Sequence, residues 1–352
     1  VEDLVTNGMA VVKRDNDPNY GITEEYVDPA YFIHSYTEDP GMNDLVYAGH
    51  IKRMTIHQRV WATLETITIM QQRYGIEHAL LQTVVTFGEE INLTPEAEHP
   101  VFMCLYPAGH ILGSAQIKLT YQGVSIVFAG DYKRTPDPSC PAFIPIDCDV
   151  FVTEATFALP VFNHPPIQDE IHKLILSLTR FPERCHLVGA YALGKCQRVI
   201  LGLRQYGYHK PIYLHGALLK LCQTYREFGY DLGECVPVSE VDDYHSLAGE
   251  IVLAPPSALT DRWSRKLPDV LTCMASGWMQ IRARTKQKRA ELPLIISDHC
   301  DWQELLDTLD EIRPTEVWIT HGREDALMHA CNNMGIHARA LRLIGYEDEN
   351  NE

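Results

Sequence analysis

The chain has 352 residues, 45% of them hydrophobic and 22% charged, with a formal net charge of −17. This length and apolar content suit one large domain or two ordinary ones and exclude a chain disordered throughout. The charge argues against a protein that coats nucleic acid by bulk electrostatics, while leaving room for a local basic patch.

No apolar run reaches about 18 residues, so no membrane span is expected. The opening VEDLVTNGMAVVKRD lacks a basic segment followed by an apolar core, so a cytoplasmic protein without a secretory signal is expected. Ten cysteines are scattered with no CxxC pair, which reads as reduced, buried thiols rather than a disulfide framework or a thiolate zinc site.

Residues 1–60 show little periodicity beyond YVDPAYFIH, a short strand running into a loop. Apolar spacing predicts a helix over 58–75, ending at Gly75. Residues 116–131 read as two strands joined near Gly123, and 149–157 as a buried strand; both stretches deliver an acid. Then strands and helices alternate. Helices are expected at 167–180, 195–206 and 217–228, between strands CHLVGAY, PIYLHG, EIVLAPP and DVLTCMASG. This alternation predicts a parallel, doubly wound α/β sheet. LPLIISDHCDW, a helix at 302–312, EVWITHG, a helix at 324–334 and a last strand ARALRLI complete the chain.

Five stretches share one design, an apolar strand ending on a histidine or acid: YPAGHILGSAQ (His110), IVFAGDYKR (Asp131), VFVTEATF (Glu154), LIISDHCDW (Asp298, His299) and VWITHG (His321). One strand-end histidine is ordinarily a hydrogen-bonded structural residue. Five such ends, with His34, point to a metal site, because imidazole and carboxylate are the ligands of zinc, manganese and iron. In YALGKCQR a helix starts at Lys195, and its N-terminus with Lys195 and Arg198 could attract phosphate or be a plain turn. The run IRARTKQKR carries Arg282, Arg284, Lys286, Lys288 and Arg289 without an acid, either a solvated face or a phosphate contact. His215 in YLHGA reads as a packed or helix-capping residue, or else a substrate contact.

The motifs PAGHILGSAQ, GDYKRTPDP, TEATFALP, AYALGKCQR, YLHGA, LAPPSA, SGWMQIRAR, SDHCDW and THG together resemble the metallo-β-lactamase superfamily. The resemblance is to its β-CASP nuclease branch, in particular the ligase-associated DNA exonuclease and mRNA 3′-end-processing-factor-like proteins. It spans residues 101 to 345, and the first 100 residues match poorly. It implies an αββα metallo-β-lactamase sandwich built from 1–158 and 290–352, with a β-CASP domain inserted at 159–289. By motif, His110 would bind a first metal, Asp131 would bridge two metals, and His321 would bind or adjoin the second. Glu154 would orient His299, the general acid. Asp15 or Asp17 would match the family's first acidic motif. Lys195, Arg198, Arg282 and Arg284 would contact substrate.

The family's His-x-His-x-Asp-His loop departs here to IHSYTEDP: His34 is kept, while Tyr36, Glu38 and Asp39 replace the other ligands. A metal set of His34, Glu38, Asp39, His110, Asp131 and His321 is expected to hold one or two divalent ions. The ions would be zinc or manganese, with magnesium admitted by the oxygen-rich side. His50 and His57 lie near enough in sequence to stand in for missing ligands.

The resemblance implies a phosphodiesterase using a metal-held hydroxide. The foremost expectation is a DNA exonuclease in repair, partnered by nucleic acid, DNA ahead of RNA, and by an ATP-dependent DNA ligase and a helicase. Two other readings stay open: a degenerate homologue that binds nucleic acid or a protein without cutting, and a hydrolase of another phosphate-containing or small substrate.

Overall fold

The structure is a computed structural model that describes residues 11–17, 21–27, 32–34, 48–50, 59–76 and 81–341, with side chains from Val60 onward. It divides into two compact units, 1–58 with 341–352, and 59–340. In the first, β1 (Val11–Asp17) and β2 (Gly21–Val27) form an antiparallel pair, as do β3 (Phe32–His34) and β4 (Ala48–His50). The expected strand before IHSYTEDP is β3. Tyr36, Glu38, Asp39 and His57 lie outside the described residues, as do the side chains of Asp15, Asp17, His34 and His50.

The second unit begins with β5 (Arg59–Ala62), parallel to β6 (Leu81–Val84), and α1 (Leu64–Tyr74) lies between them. The helix expected from residue 58 thus starts later. Thr63 takes an extended backbone and its Oγ1 accepts the Thr66 N–H at 3.2 Å, capping the helix. The Val60–Trp61 pair ahead of it suits a strand better than a helix.

A mixed seven-stranded sheet follows, built from β7 (Glu90–Asn92), β8 (Val101–Pro107), β9 (Ala115–Tyr121), β10 (Val124–Phe128), β11 (Val150–Ala155), β18 (Glu316–Gly322) and β19 (His337–Ala340). Their order is β19-β18-β11-β10-β9-β8-β7; the pairs from β10 to β19 are parallel and the rest antiparallel. Gln122 and Gly123, both at positive φ, close the two-residue β9–β10 turn, whose twist matches that of its strands. Val127, Phe151, Val317 and Ile319 from the sheet pack with Leu305, Leu309 and Leu327 of α6 (Trp302–Ile312) and α7 (Glu324–Asn333).

The second sheet has six strands, all parallel: β12 (His186–Gly189), β13 (Ile212–Leu214), β14 (Cys235–Pro237), β15 (Ile251–Ala254), β16 (Leu271–Ala275) and β17 (Leu292–Leu294), ordered β14-β13-β15-β12-β16-β17. Helices α2 (Ile167–Arg180), α3 (Lys195–Gln205) and α4 (Gly216–Glu227) bury Leu174, Ile200 and Leu218 against it. The short α5 (Arg282–Gln287) precedes β17. The alternation legible in the sequence is this α/β sheet. LPLIISDHC differs from expectation: only Leu292–Leu294 is strand, at the edge of the six-stranded sheet, and the chain then runs irregularly to His299.

The two sheets share a seam. Leu112, in the loop after β8, is 2% exposed and belongs to the apolar core of the six-stranded sheet. Its N–H donates to the Tyr225 hydroxyl of α4 at 3.2 Å. All ten cysteines are free thiols, most of them buried. Among the described residues, no helix is long and apolar enough to cross a membrane.

Candidate metal and proton-transfer site

The ends of β8, β10, β11 and the 295–300 segment converge. Glu154, buried at 2% exposure on β11, uses its two oxygens separately: Oε1 accepts the Tyr132 N–H at 2.9 Å, and Oε2 accepts His299 Nδ1–H at 2.8 Å. The Cys300 N–H donates to the Tyr132 carbonyl at 2.8 Å, which fastens the loop bearing Asp131 to the segment bearing His299. Burial disfavours the His299 cation, but the charge and hydrogen bond of Glu154, with Asp298 and Asp131, outweigh it and raise its pKa to about 9. Burial pushes Glu154 the other way, yet the His299 charge leaves its carboxyl below the usual value.

His110 donates Nδ1–H to the backbone carbonyl of Asp298 at 2.9 Å. That fixes the tautomer and leaves the Nε2 lone pair facing Asp131 Oδ2, 3.9 Å away. Burial holds its pKa below the ordinary histidine value, against the pull of the Asp298 charge. The His110 and His299 rings lie 4.7 Å apart. Two donor atoms on a tetrahedral zinc ion, each about 2 Å from it, stand roughly 3.3 Å apart, so a small approach of the two side chains brings both onto one ion. His110 and Asp131 therefore fit as ligands of a cation between them. Among the described residues, two groups of three donors lie within 4.8 Å of one another: His110, Asp298 and His299; and Asp131, Glu154 and His299.

His321 belongs to neither group. It is exposed, at φ 57°, in the bulge where Glu154 pairs with Thr320 and Ala155 with Gly322. A bulge at a strand end re-aims a side chain.

Lys195 and Arg198 are not at the surface, contrary to the expected phosphate contact. Lys195 is 4% exposed and donates Nζ–H to Asp298 Oδ1 at 2.5 Å and to the Ile296 carbonyl at 3.1 Å. Arg198, 1% exposed, donates to the carbonyls of Ser297 (2.7 Å), His110 (3.0 Å) and Gly109 (3.3 Å), and its Nε faces Asp137 at 3.4 Å. Both charges are buried and directed at internal partners rather than at a surface where a substrate phosphate would lie.

Arg282 is exposed near the start of the basic run, and the Arg284 guanidinium stacks over Trp278, 5.6 Å from the ring centroid. His215 caps α4, accepting the Ala217 N–H at 3.2 Å, and its ring lies 5.0 Å from that of Trp263. Asp298 is one of the acids that the sequence places beside a strand end, and the structure gives it partners that the motifs do not. Its partners Lys195 and His110 are 103 and 188 residues away along the chain, which no local spacing reveals.

No protein-family model matches the chain. A probable DNA ligase of Opitutus terrae is 25% identical over 305 residues, covering 86% of this chain and 29% of that protein. Cleavage and polyadenylation specificity factor subunit 3-I of Arabidopsis thaliana is 23% identical over 366 residues, covering 87% of this chain and 52% of that protein. Endoribonuclease YSH1 of Gibberella zeae is 29% identical over 199 residues, covering 52% of this chain and 22% of that protein. The chain thus spans about half the length, or less, of these curated relatives. Their names place it near proteins that cut or join nucleic acid.

Proposed function

We propose that this protein is a metal-dependent phosphodiesterase acting on nucleic acid, of the metallo-β-lactamase superfamily and its β-CASP branch. In this reading the lactamase-like domain is 1–158 with 290–352, and 159–289 is the insert. The observation that carries it is the Glu154–His299 bond at 2.8 Å beside a His110–Asp131 pair whose facing atoms are 3.9 Å apart. One half of that arrangement suits a cation, the other a proton transfer, as phosphodiester hydrolysis requires. The relatives named as an endoribonuclease and a cleavage factor support the same chemistry.

His110 and Asp131 would hold the cation, with His34, Glu38, Asp39 and His321 as further ligands. Zinc or manganese fits this donor set, and when bound the ion supplies Lewis acidity at a phosphoryl oxygen. Glu154 fixes the His299 ring through Nδ1, which leaves Nε2 as the nitrogen for proton transfer. His299 then delivers a proton to the leaving oxygen. Arg282 and Arg284 supply a surface for the phosphate backbone. DNA, in a repair setting with a ligase and helicase, is the substrate to test first in this reading, and a relative named as a probable DNA ligase supports testing DNA.

The test is cleavage of end-labelled DNA and RNA oligonucleotides, single- and double-stranded, with Mn²⁺ or Zn²⁺. Asp131→Ala and His299→Ala should each abolish cleavage while the protein stays folded. Cleavage surviving in both variants would discard the site. Cleavage of RNA alone would move the substrate to the class named in the endoribonuclease relatives.

A further inference from the structure

The start of α3 is built into the site from beneath. Gly194 adopts φ 81°, and a Cβ there would stand 2.2 Å from Ile111 Cγ2, so the helix begins in direct contact with the loop that carries His110. Its N–H donates to Gln197 Oε1 at 2.8 Å, which pins the first turn. Lys195, the next residue, is thereby aimed inward at Asp298.

We infer that Lys195 is an internal counter-cation that keeps a divalent metal out of the triangle of His110, Asp298 and His299, confining metal to the Asp131 side and leaving His299 free for proton transfer. The inference rests on the proposed reading of the site as a cation centre. His299 Nε2 and the Asp298 carboxylate, the two donors of this triangle that the Asp131 side does not use, would otherwise offer zinc or manganese a second site beside His110. A metal there would take up the His299 nitrogen that the proton-transfer role needs.

The geometry shows what blocks it. Asp298 Oδ1 is the oxygen that faces His299 Nε2, 3.8 Å away, and the same oxygen accepts Lys195 Nζ–H at 2.5 Å. The ammonium is held in place by its second bond to the Ile296 carbonyl, and its side chain is only 5% exposed, so it has no solvated position to retreat to. The Arg198 guanidinium, bonded to the backbone of Ser297 and His110, adds a second fixed positive charge behind the triangle. Like charges at this separation in a water-poor site repel strongly. Among the described residues, Asp131 is paired with His110 and has no lysine or arginine within ion-pair distance.

The experiment is elemental analysis and calorimetric Zn²⁺ titration of the full chain, with thermal melts to verify folding. It compares the unsubstituted protein, K195M, D298N and K195M/D298N. K195M should bind one more Zn²⁺ equivalent than the unsubstituted protein, and the double variant should lose that gain. D298N alone should keep the unsubstituted stoichiometry. A folded K195M with unchanged stoichiometry overturns the inference. So does the loss of an equivalent in D298N, because Asp298 would then be a ligand despite the lysine. Should K195M fail to fold, K195Q, which keeps a donor without the charge, takes its place with the same expectation. If the unsubstituted chain binds no metal but K195M binds one, the cation-centre reading falls and the role of Lys195 stands.

Discussion

Glu154 divides two tasks between two oxygens, one for the backbone beside Asp131 and one for His299. Glu154→Gln keeps the shape and an acceptor for the Tyr132 N–H, but removes the charge that steadies the imidazolium. Positioned acid–base groups contribute about 100-fold or more, so kcat should fall by roughly that factor with little change in melting temperature. A loss under about 5-fold would separate His299 from the proton transfer. A second histidine tests stability. His164 packs 4.7 Å from the Phe157 ring, both its ring nitrogens are buried without a hydrogen-bond partner, and burial lowers its pKa to about 3. The unfolded chain takes up a proton there near pH 6.5 and the folded chain does not until about pH 3. This residue's contribution to stability is therefore complete above pH 6.5 and lost as pH falls toward 3, by roughly 1 kcal/mol per pH unit. His164→Leu should flatten that part of the acid loss; identical denaturant midpoints against pH for both proteins would contradict it.

At the scale of elements, the helices were the most legible. The helices expected at 167–180 and 302–312 match α2 and α6 at their observed limits, and the structure starts α6 with an Asp301–Glu304 capping box. Less legible were elements set by pairing. Residues 59–62 form a strand because β6 lies alongside, and β17 ends early because the chain leaves the six-stranded sheet for the site. The LGKCQR turn was legible as strand-to-helix, but not in its direction of charge. A phosphate cradle and a buried clamp begin with the same residues, and only the packing of Ile111 against Gly194 selects the clamp. Gly194→Ala should cost about 2 kcal/mol or more, through a strained backbone and a steric clash together. A denaturant midpoint within error of the unsubstituted protein would refute that close approach.

For the whole molecule, a net charge of −17 means that a polyanionic substrate is repelled except where the surface is locally basic. Arg282 and Arg284 with the rest of the 281–289 run supply such a place. R282A/R284A should raise KM for oligonucleotides more than it lowers kcat, and should reduce the salt dependence of binding by about one to two counterions. An unchanged salt slope would remove the run from the interface. The site residues were legible singly, as acids and histidines at strand ends. The resemblance paired Glu154 with His299, which meet across 145 residues, whereas the contact of His110 with Asp298 across 188 residues was not legible. The IHSYTEDP ligands, the most informative departure in the sequence, lie outside the described residues except for the His34 backbone.

The seam at Leu112 bears on modularity. The proposed insert at 159–289 would invite excision, as though it were a cassette that could be removed to leave a minimal protein. Here the excised segment would take with it the core that receives Leu112, the hydroxyl that receives its N–H, and the guanidinium that joins the carbonyls of Gly109, His110 and Ser297. What remained would expose an apolar side chain and leave buried acceptors unmatched beside the histidines. The second sheet is therefore part of the foundation of the site, and a shortened chain would be a poor starting point for engineering a smaller protein.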